Sequence, residues 1–192
     1  MNERMRLLMR LEYVFSRLHI ADKDQSVSSQ NSTLHAFLDL IDLVTRGDTT
    51  SEVIKELERV AENLRILQDN PSVDAQRLSD ILDNVDNLIR RLNQQGNRHY
   101  QPTVDNDLLS TLKRRHHVTC GNVEFDQPAL RHWFAKPEQE RFEQLLFWRE
   151  PFETLRLAVK LLLQLIREAA QPITPVAEAG FYQMALEADQ PV

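Results

Sequence analysis

Residues 51–96 read SEVIKELERVAENLRILQDNPSVDAQRLSDILDNVDNLIRRLNQQG, and this stretch decides the fold. Val53, Leu57, Val60, Leu64 and Leu67 recur at spacings of three and four, the period of one helix face. Asp69-Asn70-Pro71-Ser72 breaks the pattern. From about Asp74 it resumes with Leu78, Ile81 or Leu82, Val85, Leu88 or Ile89, and Leu92, until Gly96 ends it. Two long helices joined by a short polar turn make an antiparallel helical hairpin with a coiled-coil-like seam. Glu52–Lys55, Glu56–Arg59 and Glu62–Arg65 are each three residues apart, as on exposed helix surface. The apolar seam reads as core packing, with an arm against a second subunit as its alternative.

Outward from the hairpin, the period stays helical. Leu7, Leu11, Val14 and Leu18 place a first helix over 2–19, and the polar stretch Ala21–Ser32 reads as an exposed loop. Ser32 or Thr33 then caps a helix with Leu34, Phe37, Leu38, Ile41 and Val44 inward, stopped by Gly47. Beyond the hairpin, Asn97–Thr103 is expected to be a linker and Val104–Arg115 a short helix. Val118–Phe125 is the one candidate strand. Pro128 opens a sixth helix, Glu138 another, and Pro151 a last long one with Phe152, Leu155, Val159, Leu162 and Ile166 buried. The expectation is a mainly α, multi-helix domain over 1–170 and an irregular tail over 171–192.

Composition sets limits on function. With 42% hydrophobic residues among 192 the chain can bury a core, so wholesale disorder is excluded. No apolar run approaches the ~20 residues of a membrane span, and the N-terminus has no secretory pattern. Cys120 is the single cysteine and cannot form an internal disulfide, in keeping with a reducing compartment. Nucleotide-binding and hydrolase signatures are absent, and four glycines leave little for a phosphate loop. His116, His117 and Cys120 lack the further paired ligands that a closed zinc site requires. No enzyme, cofactor or metal is expected.

The net charge of −6 is unevenly spread. Residues 1–19 hold four arginines against two glutamates, and residues 96–136 six basic groups against four acidic, whereas the rest is acidic. On the first helix Arg6, Arg10, Tyr13 and Arg17 form one stripe, an aromatic ring among three guanidinium groups. The second basic feature is Lys113-Arg114-Arg115-His116-His117, with Arg131 and His132 nearby. Cations at a helix C-terminus also answer the macrodipole, so this run reads as capping or as binding.

Short motifs from Asn2-Glu3-Arg4-Met5-Arg6 through Phe125-Asp126 to Gly180-Phe181-Tyr182-Gln183 resemble, in order, those of the ZapD (YacF) family of cell-division proteins. Asn2-Glu3-Arg4-Met5-Arg6 with Arg10 and Glu12 resembles its opening, Leu34-His35-Ala36-Phe37 with Leu43 and Arg46-Gly47 its second helix and turn, and Glu56-Leu57 part of its K-E-L segment. Gly121, Phe125-Asp126, Pro128, Leu130 and Trp133 resemble its G-x-x-x-F-D-x-P-x-L-x-x-W stretch. Leu165-Ile166-Arg167 and Gly180-Phe181-Tyr182-Gln183 resemble its closing segments. The resemblance implies a cytoplasmic, dimeric, non-enzymatic protein at the midcell division ring. It would bind the C-terminal tail of FtsZ, the tubulin-like division GTPase, and cross-link its filaments. It also implies a helical domain with a small β domain built from the chain's ends, most of which is expected to be missing here. Arg6 and Arg10 match the family motif directly. With Arg17, Lys113, Arg114, Arg115 and Arg131 they are the expected tail-binding residues. The alternatives are a nucleic-acid-binding module using residues 113–117, which the overall negative charge opposes, and a membrane-surface protein using the first helix.

Overall fold

The computed structural model describes residues 3–70, 73–115, 127–169 and 179–180, and among them every regular element is helical. The expected strand at 118–125 and most of the 171–192 tail lie outside the described residues. No helix among those described is long and apolar enough to cross a membrane.

The hairpin forms as its pattern dictates. Helix α3 will denote Thr49–Ile66 and α4 Ala75–Gln95, following α1 (Glu3–Leu18) and α2 (Val27–Arg46). Asp74 caps α4 by accepting from the backbone N–H groups of Gln76 and Arg77. Gly96 ends α4 at φ +57°, a left-handed conformation that favours glycine. Across the hairpin Arg65 pairs with Asp86 at 2.9 Å. Its seam is covered from within the chain. The last helix packs on α1, α3 and α4 together, and Val53, Leu57, Val85 and Leu92 are buried. That final helix is α9 (Glu153–Ala169), preceded by α5 (Gln101–Val104), α6 (Asp107–Arg115), α7 (Pro128–Phe134) and α8 (Glu138–Arg149).

Four boundaries differ from the sequence reading. The expected loop 21–32 holds a 3₁₀ turn at Ile20–Asp22 and the first turns of α2, which begins at Val27. Ser26 caps it by accepting from the Ser29 N–H, and Asp24 accepts from Ser26. The polar residues beyond the cap are inside: Gln30 accepts from Arg141 at 2.6 Å, and Thr33 donates to the Ser29 carbonyl. The expected linker 97–103 is a 3₁₀ turn running into α5, because Tyr100 stacks on Phe152 at 4.8 Å and Thr103 donates to the Trp148 carbonyl. Val104–Arg115 is accordingly two pieces, the second started by Asn106, whose side-chain oxygen takes the Leu108 and Leu109 N–H groups. Likewise Pro151 opens a 3₁₀ turn over Glu150–Phe152, and α9 follows it.

The buried side chains form one core, whose aromatic part lies among α2, α7 and α8. Phe37 of α2 meets Trp148 edge-on at 6.1 Å, and Trp148 stacks near Trp133 of α7. Burying a ring of this size contributes roughly 1.5–3 kcal/mol. Arg141 lies beside these rings with no ion pair among the described residues. Its guanidinium donates to Gln30 and to the Phe134 and Lys136 carbonyls, closing the C-terminus of α7, and lies 5.9 Å from the Trp133 and Phe134 ring centres.

Candidate functional site

Helices α1 and α2 run antiparallel. Arg17, in the last turn of α1, pairs with Asp39 at 2.7 Å, while Arg4, in its first turn, approaches Glu56 of α3 at 3.8 Å. Between these two ties lies an open groove of about 620 Å³. Leu7, Val14 and Leu43 supply its apolar lining. Arg4, Arg10 and Tyr13 stand on the α1 side, Asp39, Asp42 and Arg46 on the α2 side, and Asp48, Thr49 and Glu52 close the end at the α2–α3 turn. Thr49 fixes that turn by donating to the Leu43 carbonyl at 2.6 Å.

Most charges on this rim have partners. Glu3 takes Arg6 at 2.7 Å, Asp39 takes Arg17, and Glu52 takes Lys55 at 2.8 Å, which raises the lysine's pKa. Asp42 takes both Arg46 and Lys113, each at 3.2 Å. Arg10 and Asp48 are exposed and make no ion pair among the described residues. Tyr13 is 63% exposed, and Arg17 lies 5.7 Å from its ring centre, holding the aromatic face beside Arg10. A guanidinium fork, an exposed ring and an apolar floor together suit a peptide carrying a carboxylate next to apolar side chains.

The residues expected from sequence divide three ways. Arg10 lines the groove, whereas Arg6, one turn earlier on α1 and 49% exposed, is not part of its lining. Arg17 is drawn inward by Asp39, with the Ser32 carbonyl 3.5 Å away, and clamps α1 to α2. The basic run does reach the same neighbourhood, since α6 packs on α2, but Lys113 arrives behind the groove wall, donating to Thr45 at 3.0 Å and pairing with Asp42. Arg114 and Arg131 are exposed on α6 and α7, which pack on each other. Arg115 is exposed and has a partner of its own. The pairing of His116, His117 and Cys120 lies outside the described residues, and no cluster suited to a metal occurs among those described. Arg4 and Arg46 are groove cations that the charge pattern did not single out. The Arg46-Gly47 motif was visible, but only the turn back into α3 shows that Arg46 faces α1.

A family model for the cell division protein ZapD matches residues 9–192. The cell division protein ZapD of Cupriavidus taiwanensis is 34% identical over 185 residues, covering 96% of this chain and 73% of that protein. ZapD of Coxiella burnetii is 30% identical over 191 residues, covering 100% of this chain and 74% of its own length. That of Ralstonia nicotianae is 31% identical over 185 residues, with 96% and 73% covered.

Proposed function

The chain belongs to the ZapD family of cell division proteins, and from that premise we propose that it binds the C-terminal tail of FtsZ in the α1–α2 groove and cross-links FtsZ filaments. The observation that carries this reading is Arg10, exposed at the lip of the groove and without an ion pair among the described residues. An acidic side chain of the tail pairs with Arg10, and Arg6 and Arg46 stand close enough to exchange their internal carboxylates for a ligand's. Neighbouring apolar side chains of the tail rest on Leu7, Leu43 and Tyr13. The protein acts as a homodimer at the cytoplasmic midcell ring, without catalysis, cofactor, nucleic acid or membrane insertion. Two equivalent sites per dimer hold tails of two filaments, and bivalency raises avidity without new contacts, so each weak bond can break while the bundle persists. In this reading Arg114, Arg115 and Arg131 add long-range attraction for the acidic tail, and Arg17 and Lys113 support the groove walls.

Co-sedimentation with FtsZ filaments tests it. The protein pellets with intact FtsZ and stays in the supernatant with FtsZ lacking its C-terminal tail. Equal pelleting with both would refute tail binding, and light scattering that gives a mass of 22.4 kDa at micromolar concentration would refute the dimer.

A further inference from the structure

The groove that takes a carboxylate is itself rich in carboxylates. Five of them line it, Glu3, Asp39, Asp42, Asp48 and Glu52, against Arg4, Arg10 and Arg46. Pairing within the rim leaves Arg10 and Asp48 as the two opposite charges without a close ion pair among the described residues, Asp48 acting on Lys55 only at longer range than Glu52 does. They are not side by side. The antiparallel packing sets the α2–α3 turn, with Asp48, beside the first turn of α1, and seven helical residues separate Glu3 from Arg10, an axial rise of ~10 Å. That is near the Debye length at physiological salt, so neither charge neutralises the other. An extended peptide covers the same ~10 Å in three residues.

We infer that the groove selects a dipolar segment: a carboxylate at Arg10, apolar residues over Leu7 and Leu43, and a basic side chain three residues away at Asp48. The inference rests on the groove being the tail site, and it adds which charges the bound segment must carry. A polyacidic segment, which attraction to arginine alone would favour, is disfavoured here, because its second carboxylate meets Asp48 and Glu52. Specificity then comes from a repulsive element as much as from an attractive one. Asp48 can be changed without losing a helix cap. Its side chain makes no cap bond to α3, and only its carbonyl accepts from Glu52.

The experiment is fluorescence anisotropy with two labelled octapeptides, blocked at both ends. One carries Asp and Lys separated by two leucines, and the other carries Asp at both positions. The wild-type protein binds the dipolar peptide about five-fold more tightly than the diacidic one, in the range of an exposed charge pair. Asp48→Asn brings the ratio close to one, and Asp48→Lys reverses it. A ratio unchanged in both variants, or no binding of either peptide at millimolar concentration, overturns the inference. Binding of both peptides that is indifferent to Arg10→Glu refutes instead the placement of the tail in this groove, so the two failures are told apart.

Discussion

The chain carries two clusters of positive charge, on α1 and at the end of α6, and the same residue type has different surroundings in each. On α1, Arg10 stands over the groove and meets no carboxylate among the described residues, while Arg6 pairs with an exposed glutamate one turn away. On α6, Lys113 reaches across to α2, where Asp42, with only 13% of its side chain exposed, and Thr45 hold the ammonium. The denser run in the sequence is therefore the less available one at its first residue. A cation becomes a binding group only when the fold leaves it without an acid, and that depends on residues far away in the chain.

The buried extreme of this comparison gives the largest expected effect. Arg141 is 6% exposed, and Arg141→Met strips Gln30, the last carbonyl of α7 at Phe134 and the Lys136 carbonyl beyond it of their donor. The variant loses roughly 2–4 kcal/mol of stability in a denaturant titration, while tail binding by the folded fraction is unchanged. Arg10→Glu is the converse. FtsZ co-sedimentation weakens at least ~10-fold, about 1.4 kcal/mol, and the melting temperature holds because an exposed residue without an internal partner is replaced. Arg90→Glu, on the outer face of α4, changes neither and controls for overall charge. If it weakened binding as much as Arg10→Glu, the two clusters would differ in name only.

Lys113→Ala falls between them. It removes the ammonium from Asp42, which also pairs with Arg46, and costs about 1 kcal/mol in denaturant, with binding reduced less than three-fold. A ten-fold binding loss at unchanged stability would place α6 in the site itself. The smallest effect is that of acid. Glu12, bonded by Arg167, and Glu153, bonded by Arg156, both titrate below their ordinary 4.5. A carboxyl depressed in the folded state contributes stability that is present above pH 4.5 and is lost as pH falls through the folded value. Both pairs tie α9 or its surroundings and lie away from the groove. Melting temperature therefore declines modestly below pH 4.5, and Arg167→Ala reduces that decline.

How far the sequence reached follows from what each feature depends on. Helices α1, α3, α4 and α9 were legible because their apolar spacing is a local property, visible without knowing what covers it. The start of α2 was not. Ser29, Gln30 and Thr33 look like loop residues, and they are buried because Gln30 meets Arg141, 111 residues later in the chain. Tyr100 and Thr103 were assigned to a linker for the same reason, as their partners are Phe152, just past α8, and Trp148, in its last turn. In the site, the spacing put Arg6, Arg10, Tyr13 and Arg17 on one stripe, of which Arg10 and Tyr13 line the groove. It could not show that Asp39 would take Arg17, nor that Arg4 and Arg46 would share a groove made by three helices.

One consequence of the packing concerns time rather than energy. Helix α9 closes on α1, α3 and α4, so the first helix made waits for the last to cover its inner face. At about 5–20 residues per second of synthesis, some 135 residues separate the end of α1 from the start of α9, an interval on the order of ten seconds. During that interval the α1–α2 pair can form, but Leu11, Phe15 and the hairpin seam remain open to other chains. Long-range closure of this kind also slows folding, since the loop must be ordered before its contacts reward it. Growth conditions that stall translation before residue 153 should then trap a sticky, partly helical nascent chain, and the loss of α9 should be felt first as aggregation.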